Sequence, residues 1–135
     1  MEVWADIKGY EGFYQVSNLG RVRSLDRGMY VRQDRYANPR WVKRQGVLLR
    51  QHLDGKGYPM VRLCKDGVVR QLVTHRLVAM HFIPNPERKP AVNHIDANTS
   101  NNNVLNLEWC TIAENNQHTV RMGRKPLKYK ARSIA

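Results

Sequence analysis

The stretch from Val92 to His118, VNHIDANTSNNNVLNLEWCTIAENNQH, constrains the fold of this chain more than any other. A short apolar lead delivers Asn93 and His94, and a loop crowded with asparagine follows. Leu107-Glu108-Trp109-Cys110-Thr111 then alternates in the manner of a half-buried strand. Thr111 stands where it can cap a helix beginning near Ile112, with Glu114 in the first turn to complete a capping box. The pattern predicts a hairpin followed by a helix, with His94 on the first strand and Asn115 on the helix. Such a fold brings an imidazole and an amide from distant sequence positions to one point.

Composition narrows the partner. The chain has 135 residues with 23 Lys and Arg against 11 Asp and Glu, a net charge of +12. Solubility does not require that much charge of one sign, whereas a dense row of phosphates suits it. A basic surface for an acidic protein or a membrane is the blander alternative. An apolar fraction of 41% supports one modest core, so a single compact domain with a small extension is expected. Cys64 and Cys110 are the only cysteines and form no CxxC pair, which argues against a disulfide framework or a structural zinc site. No apolar run reaches transmembrane length, and MEVWADIKGYEG does not read as a signal peptide. A cytoplasmic protein is expected, without a membrane partner.

Residues 1–50 read as a β-rich module with a basic insertion. Tyr14 to Val16 and Val22 to Leu25 predict two strands joined by Ser17-Asn18-Leu19-Gly20. Trp4, Ile7, Tyr10 and Phe13 are expected to cover one end of this hairpin. Arg21, Arg23, Arg27, Arg32, Arg35, Arg40, Lys43 and Arg44 follow, opposed by Asp26 and Asp34 and interleaved with Tyr30, Tyr36 and Trp41. This composition suits a strand or loop that contacts a nucleic-acid backbone, becoming ordered on binding; a solvated loop is the alternative.

Residues 51–123 read as a second unit. Tyr58 to Cys64 and Val68 to Val73 predict a hairpin across Lys65-Asp66-Gly67, with Pro59 at a strand start or edge. Thr74 is expected to cap a short helix that Pro84 and Pro86 stop. His75 and His81 lack acidic partners nearby and read as packing or hydrogen-bonding side chains. A second helix carries Asn115 as far as Val120 or Met122. Residues 124–135 form a basic tail.

Hydrolysis of a phosphodiester needs an activated water and stabilisation of negative charge. Histidine has the pKa to take the proton, and a hard divalent metal can bind the phosphate. His94 is the candidate base, and Asn115 and Asn93 can offer amide oxygens to a metal. Successive strand residues face opposite ways, so Asn93 and His94 need a bulge or strand end to share a site. Asn106 is better suited to pinning the loop behind His94. Asn98, Asn101, Asn102 and Asn103 suit local loop hydrogen bonds.

NHIDANTSNNNVLNLEW and AENNQH, with His94, Asn106 and Asn115 in order, resemble the HNH nuclease motif, the ββα-metal finger of phage and intron homing endonucleases. HRLVAMHFIPNP resembles the sequence just before that motif, and WADIKGYEGFYQVSNLGRVRSL resembles its NUMOD4-like N-terminal module. The resemblance covers most of the chain outside the basic insertion and tail. It implies an α+β fold, a small N-terminal β-hairpin module followed by a ββα-metal HNH domain. It further implies a metal-dependent endonuclease acting on double-stranded DNA, with a catalytic set of His94 as base and Asn106 as structural asparagine. Asn93 and Asn115 are the implied ligands of Mg²⁺, with Mn²⁺ as an alternative. His118 is left to a supporting role or a phosphate contact.

Two positions depart from the resemblance. Asn93 stands where several members have Asp, and Ala97 where Gly is common. Loss of the charge at 93 weakens metal affinity and makes an inactive DNA-binding relative the alternative function. DNA contacts are expected from Arg27, Arg32, Arg35, Arg40, Lys43 and Arg44 in the insertion. Arg121, Arg124, Lys125, Lys128 and Lys130 extend them toward the tail. One site per subunit favours nicking by a monomer; a homodimer cutting both strands is the alternative.

Overall fold

The computed structural model describes residues 1–123; Arg124, Lys125, Lys128 and Lys130, expected to contact DNA, lie outside the described residues. The N-terminal sheet has three antiparallel strands in sequential order, β1 (Trp4–Asp6), β2 (Tyr14–Ser17) and β3 (Val22–Ser24). The expected hairpin is its β2–β3 half, and β1 adds an edge strand. Ile7, Tyr14, Val16 and Val22 are buried, with Tyr10 and Phe13 packed at the margin. Trp4 departs from the expectation: it is only partly buried, and the Arg23 guanidinium lies 4.1 Å from its ring centre. An indole at a sheet edge keeps one face for a cation, which is why it does not enter the core.

The basic insertion forms an antiparallel ribbon of β4 (Arg27–Val31) and β5 (Arg40–Arg44). Alternation divides it into two faces. Tyr30 and Trp41 pair directly and stand exposed, edge to face with centroids 4.9 Å apart. Trp41 also crosses the partner strand at Gly28, where a Cβ would meet its ring at 1.8 Å. Any side chain at 28 would displace the indole.

A second three-stranded sheet follows, β6 (His52–Leu53), β7 (Pro59–Lys65) and β8 (Val68–Val73), with β7 central. Pro59 is the first residue of β7, where its missing N–H costs least. Helix α1 (Thr74–Phe82) packs against β2, β7 and β8 and against the later hairpin, β9 (Ala91–His94) and β10 (Leu107–Cys110). Thr74 is not the cap: Val73 holds that position, and the Thr74 hydroxyl donates to Gln51 Oε1 at 2.9 Å. A fully buried hydroxyl needs a partner, and the neighbouring amide supplies one. A 3₁₀ turn (Val104–Asn106) precedes β10, and α2 (Ile112–Arg121) closes the fold with the expected capping box on Thr111 and Glu114.

One cluster of buried side chains joins these parts. Ile7, Val16 and Val22 of the N-terminal sheet meet Val61 and Leu63 of β7, Leu77 and Val78 of α1, and Val92 and Leu107 of the last hairpin. The Tyr14 hydroxyl spans the two larger sheets, accepting from Cys64 N at 3.1 Å and donating to Cys64 O at 3.2 Å. Replacing it as Tyr14→Phe leaves both backbone groups without that partner and is expected to cost about 1–3 kcal/mol. Urea denaturation should show a lower midpoint at an unchanged slope.

Candidate active site

His94 is the last residue of β9, paired with Leu107 across the hairpin. The chain turns sharply after it, with Ala97 N donating to His94 O at 2.9 Å. Ala97 takes φ +61, the left-handed conformation that favours glycine, so the turn is made at some strain. Asn93 and His94 are both 5% exposed and line the same cleft of about 180 Å³, which the strand end permits. Helix α2 supplies the opposite wall with Asn115, Asn116, His118 and Thr119, and Lys56, Tyr58 and Thr99 complete it.

The loop between β9 and β10 uses its asparagines in two ways. Asn98 Oδ1 accepts from Ser100 N, Asn103 Oδ1 from Leu105 N, and Asn101 Nδ2 donates to Asp96. Asn102 turns inward instead, 5% exposed, with Oδ1 2.7 Å from His94 Nε2. An amide oxygen only accepts, so Nε2 carries the ring proton and Nδ1 holds the basic lone pair. Asn106 lies behind the loop rather than on the cleft. Its carbonyl accepts from Ile95 N at 2.8 Å, its Oδ1 from Asp96 N at 3.0 Å, and its Nδ2 donates to Asp96 Oδ1 and Asn101 O.

Two more rings flank His94. Tyr58 stacks at 6.0 Å between centroids and His75 lies tilted at 5.0 Å. His75 is buried, with Nδ1 unpartnered among the described residues. Burial, then the neighbouring His94 and Arg76 charges, push its pKa down to about 4, with Asp54 opposing. His75 is therefore neutral at pH 7 and puts no fixed cation beside His94.

No cluster of three or more His, Cys, Asp or Glu able to hold a metal occurs among the described residues. The cleft offers a different donor set. Asn93 Nδ2 donates to Glu108 Oε1 at 2.9 Å, which identifies Oδ1 as the amide's remaining acceptor. The Asn115 side chain makes no hydrogen bond among the described residues. His118 Nε2 is buried without a partner among them. Amide oxygens suit a hard divalent ion, and an orphaned imidazole nitrogen is a further donor, so the residues present fit such a metal if phosphate oxygens complete its shell.

The expected DNA-contact residues separate from this cleft. Arg32, Arg35, Arg40, Lys43 and Arg44 are exposed on the ribbon or its tip, and Arg121 ends α2. Arg27 is half-buried, its guanidinium 5.0 Å from the Phe13 ring centre. Arg21 pairs with Glu2, and Arg23 donates to Gln15 Oε1. Sequence reading missed Asn102, because four neighbouring asparagines in one loop give no local signal of which one faces inward. It also missed Lys56 and Tyr58, which reach the cleft from the turn before β7 and from the residue just ahead of that strand.

A ββα hairpin-helix that sets histidine and asparagine around one cleft is the architecture of the HNH nucleases. Residues 73–117 match the HNH endonuclease family and residues 2–64 match the NUMOD4 motif. Both matched segments are therefore similar to HNH homing endonucleases that carry a NUMOD4 module. It is 36% identical over 132 residues to the DNA endonuclease I-HmuI of Bacillus phage SP01, covering 98% of this chain and 65% of that protein. It is 45% identical over 83 residues to the uncharacterized HNH endonuclease L245 of Acanthamoeba polyphaga mimivirus, covering 62% of this chain and 25% of that one. A solved structure of DNA binding and cleavage by the HNH homing endonuclease I-HmuI aligns with a TM-score of 0.68 at 33% identity, covering 93% of this chain and 62% of that chain. The chain thus spans less than two thirds of these relatives. HNH endonucleases generally depend on a divalent metal. No helix among the described residues is long and apolar enough to cross a membrane.

His75 supplies a pH test. Its folded pKa lies below the ordinary 6.5, so its contribution to stability is present above pH 6.5 and is lost as pH falls toward 4. Wild-type protein should lose up to about 3 kcal/mol across that interval, and His75→Gln should lose correspondingly less. Denaturant midpoints at pH 7 and at pH 4.5 check this.

Proposed function

We propose that the chain is a divalent-metal-dependent endonuclease that nicks double-stranded DNA inside the cell where it is made. The observation that carries this reading is the convergence of His94, Asn93 and Asn115 on one cleft, with Asn102 setting the tautomer of the imidazole. Water attacks phosphorus as His94 Nδ1 takes its proton. The new P–O bond forms as the bond to the leaving nucleoside oxygen breaks, and that oxygen takes a proton from solvent water. Asn93 and Asn115 would hold Mg²⁺ or Mn²⁺ through their amide oxygens, with His118 beside them. When bound, the cation draws charge from the phosphate and the leaving oxygen. Lys56 at the cleft rim is available to a non-bridging phosphate oxygen. Asn106 supports the turn and does not touch substrate.

The ribbon is the proposed DNA contact. Its two-stranded antiparallel form suits insertion into a groove, with the exposed Arg40, Lys43 and Arg44 available to phosphates. One such histidine-and-asparagine cleft among the described residues would make one cut per binding event, by a monomer. Neutral Asn93 supports weak metal affinity in the free protein, strengthened when DNA supplies phosphate ligands.

Supercoiled plasmid should become open circle only with wild-type protein and Mg²⁺ or Mn²⁺. His94→Ala should lower turnover by about 10²- to 10⁴-fold while DNA binding persists. Asn115→Ala should shift the metal titration to higher concentration. Tight binding with no product across a library of target sites would overturn the catalytic reading. The triple variant R40A/K43A/R44A should weaken binding and reduce the log–log salt slope by about 0.9 for each phosphate no longer neutralised. Fluorescence anisotropy across a salt series measures it, and an unchanged slope removes these residues from the DNA interface.

A further inference from the structure

The N-terminal module touches the catalytic loop at one place where there is no room to spare. Gly20 closes the β2–β3 turn, buried, with φ +88. A Cβ there would lie 2.8 Å from Asn102 Cβ, 2.9 Å from its carbonyl oxygen and 3.1 Å from its carbonyl carbon. These are main-chain and stem atoms, not the end of a flexible side chain, so accommodation requires the Asn102 backbone or the turn to move. Asn102 is the residue whose amide holds His94 Nε2 at 2.7 Å.

Both sides of this contact are tied down. On the turn side, Gly20 N donates to Ser17 O at 3.1 Å, and Gly20 O accepts from Gln51 Nε2 at 2.8 Å. Gln51 in turn accepts from the buried Thr74 hydroxyl at the start of α1. On the loop side, Val104 N donates to Asn18 O at 2.8 Å, bonding the catalytic loop directly to the same turn. Asn101 O is held by Asn106 Nδ2. Neither partner can withdraw without breaking hydrogen bonds.

We infer that Gly20 is a positioning residue for the active site: the turn of the NUMOD4 module backs Asn102 and so fixes the orientation and tautomer of His94. The module is then part of the catalytic apparatus as well as a carrier of the proposed DNA-contacting ribbon, which begins after only two residues beyond β3. The link to turnover rests on the proposed role of His94 as base, whereas the link to the imidazole itself does not.

Glycine at this φ is favoured for backbone reasons alone, so the test needs a control for strain. Gly9 supplies it, with φ +86 and open space for at least 4 Å around the place a Cβ would take. Full-length wild type, G20A, G9A, Q51A and H94A are compared by imidazole ¹H–¹⁵N NMR without metal and by plasmid cleavage with Mn²⁺. G20A should lose the Nε2-protonated signature of His94, while G9A, equally strained, should keep it. Turnover in G20A should fall about 10- to 100-fold with the KM for DNA little changed, as for a misplaced catalytic group. Q51A, which releases the Gly20 carbonyl, should show a smaller shift in the same direction. A His94 signature in G20A indistinguishable from that in G9A would overturn the inference. Should G20A fail to fold, an unchanged His94 signature in Q51A would overturn it equally. If G20A perturbs the imidazole but H94A cleaves as well as wild type, the positioning stands and the base assignment fails.

Discussion

The site depends on one hydrogen bond, from His94 Nε2 to the Asn102 amide oxygen. A buried imidazole with no fixed partner exchanges its proton between two nitrogens and rotates about its side-chain bonds. The amide ends that freedom, because its oxygen accepts and cannot donate. The basic lone pair is thereby assigned to Nδ1. Two contacts back the loop that carries Asn102: Asn106 ties the chain at Asp96 and Asn101, and the N-terminal turn lies close on the other side. His75 and Tyr58 complete the enclosure with rings, His75 staying neutral because burial opposes its charge.

Charge is distributed in a complementary way. The cleft presents amides and imidazoles, while the arginines and lysines of the ribbon stand away from it. An Asp at position 93 would face the Glu108 carboxylate directly across the hairpin, where the present Asn donates to it instead. The neutral residue thus removes a like-charge contact and turns its oxygen into the available donor. In the proposed reaction, such a site would rely on the phosphate of the substrate to complete a cation's shell, which would link metal affinity to substrate binding.

Much of the fold was legible because its signals are local. Thr111 and Glu114 announce their helix through a capping box that needs only four consecutive residues. The β2–β3 and β7–β8 hairpins follow from alternation and turn chemistry. Thr74 shows the limit: its sequence context suits a cap, but its hydroxyl is drawn to Gln51, 23 residues away in sequence. Trp4 shows another, since an edge strand let Arg23 cover a ring expected in the core. The ribbon's composition was clear, yet its register was not, because Gly28 matters only through the Trp41 ring laid across it.

By itself, the sequence determined most of the elements, the hairpin-helix order and the places of Asn93, His94 and Asn115 on them. These follow from periodicity, capping and turn preferences that act over a few residues. Only the tertiary structure decided which of Asn98, Asn101, Asn102 and Asn103 grips His94, that His75 stays uncharged, and that Gly20 must be small. Each of these is set by groups brought together from distant parts of the chain. Burial and close contact are properties of the packed whole, and no local pattern encodes them.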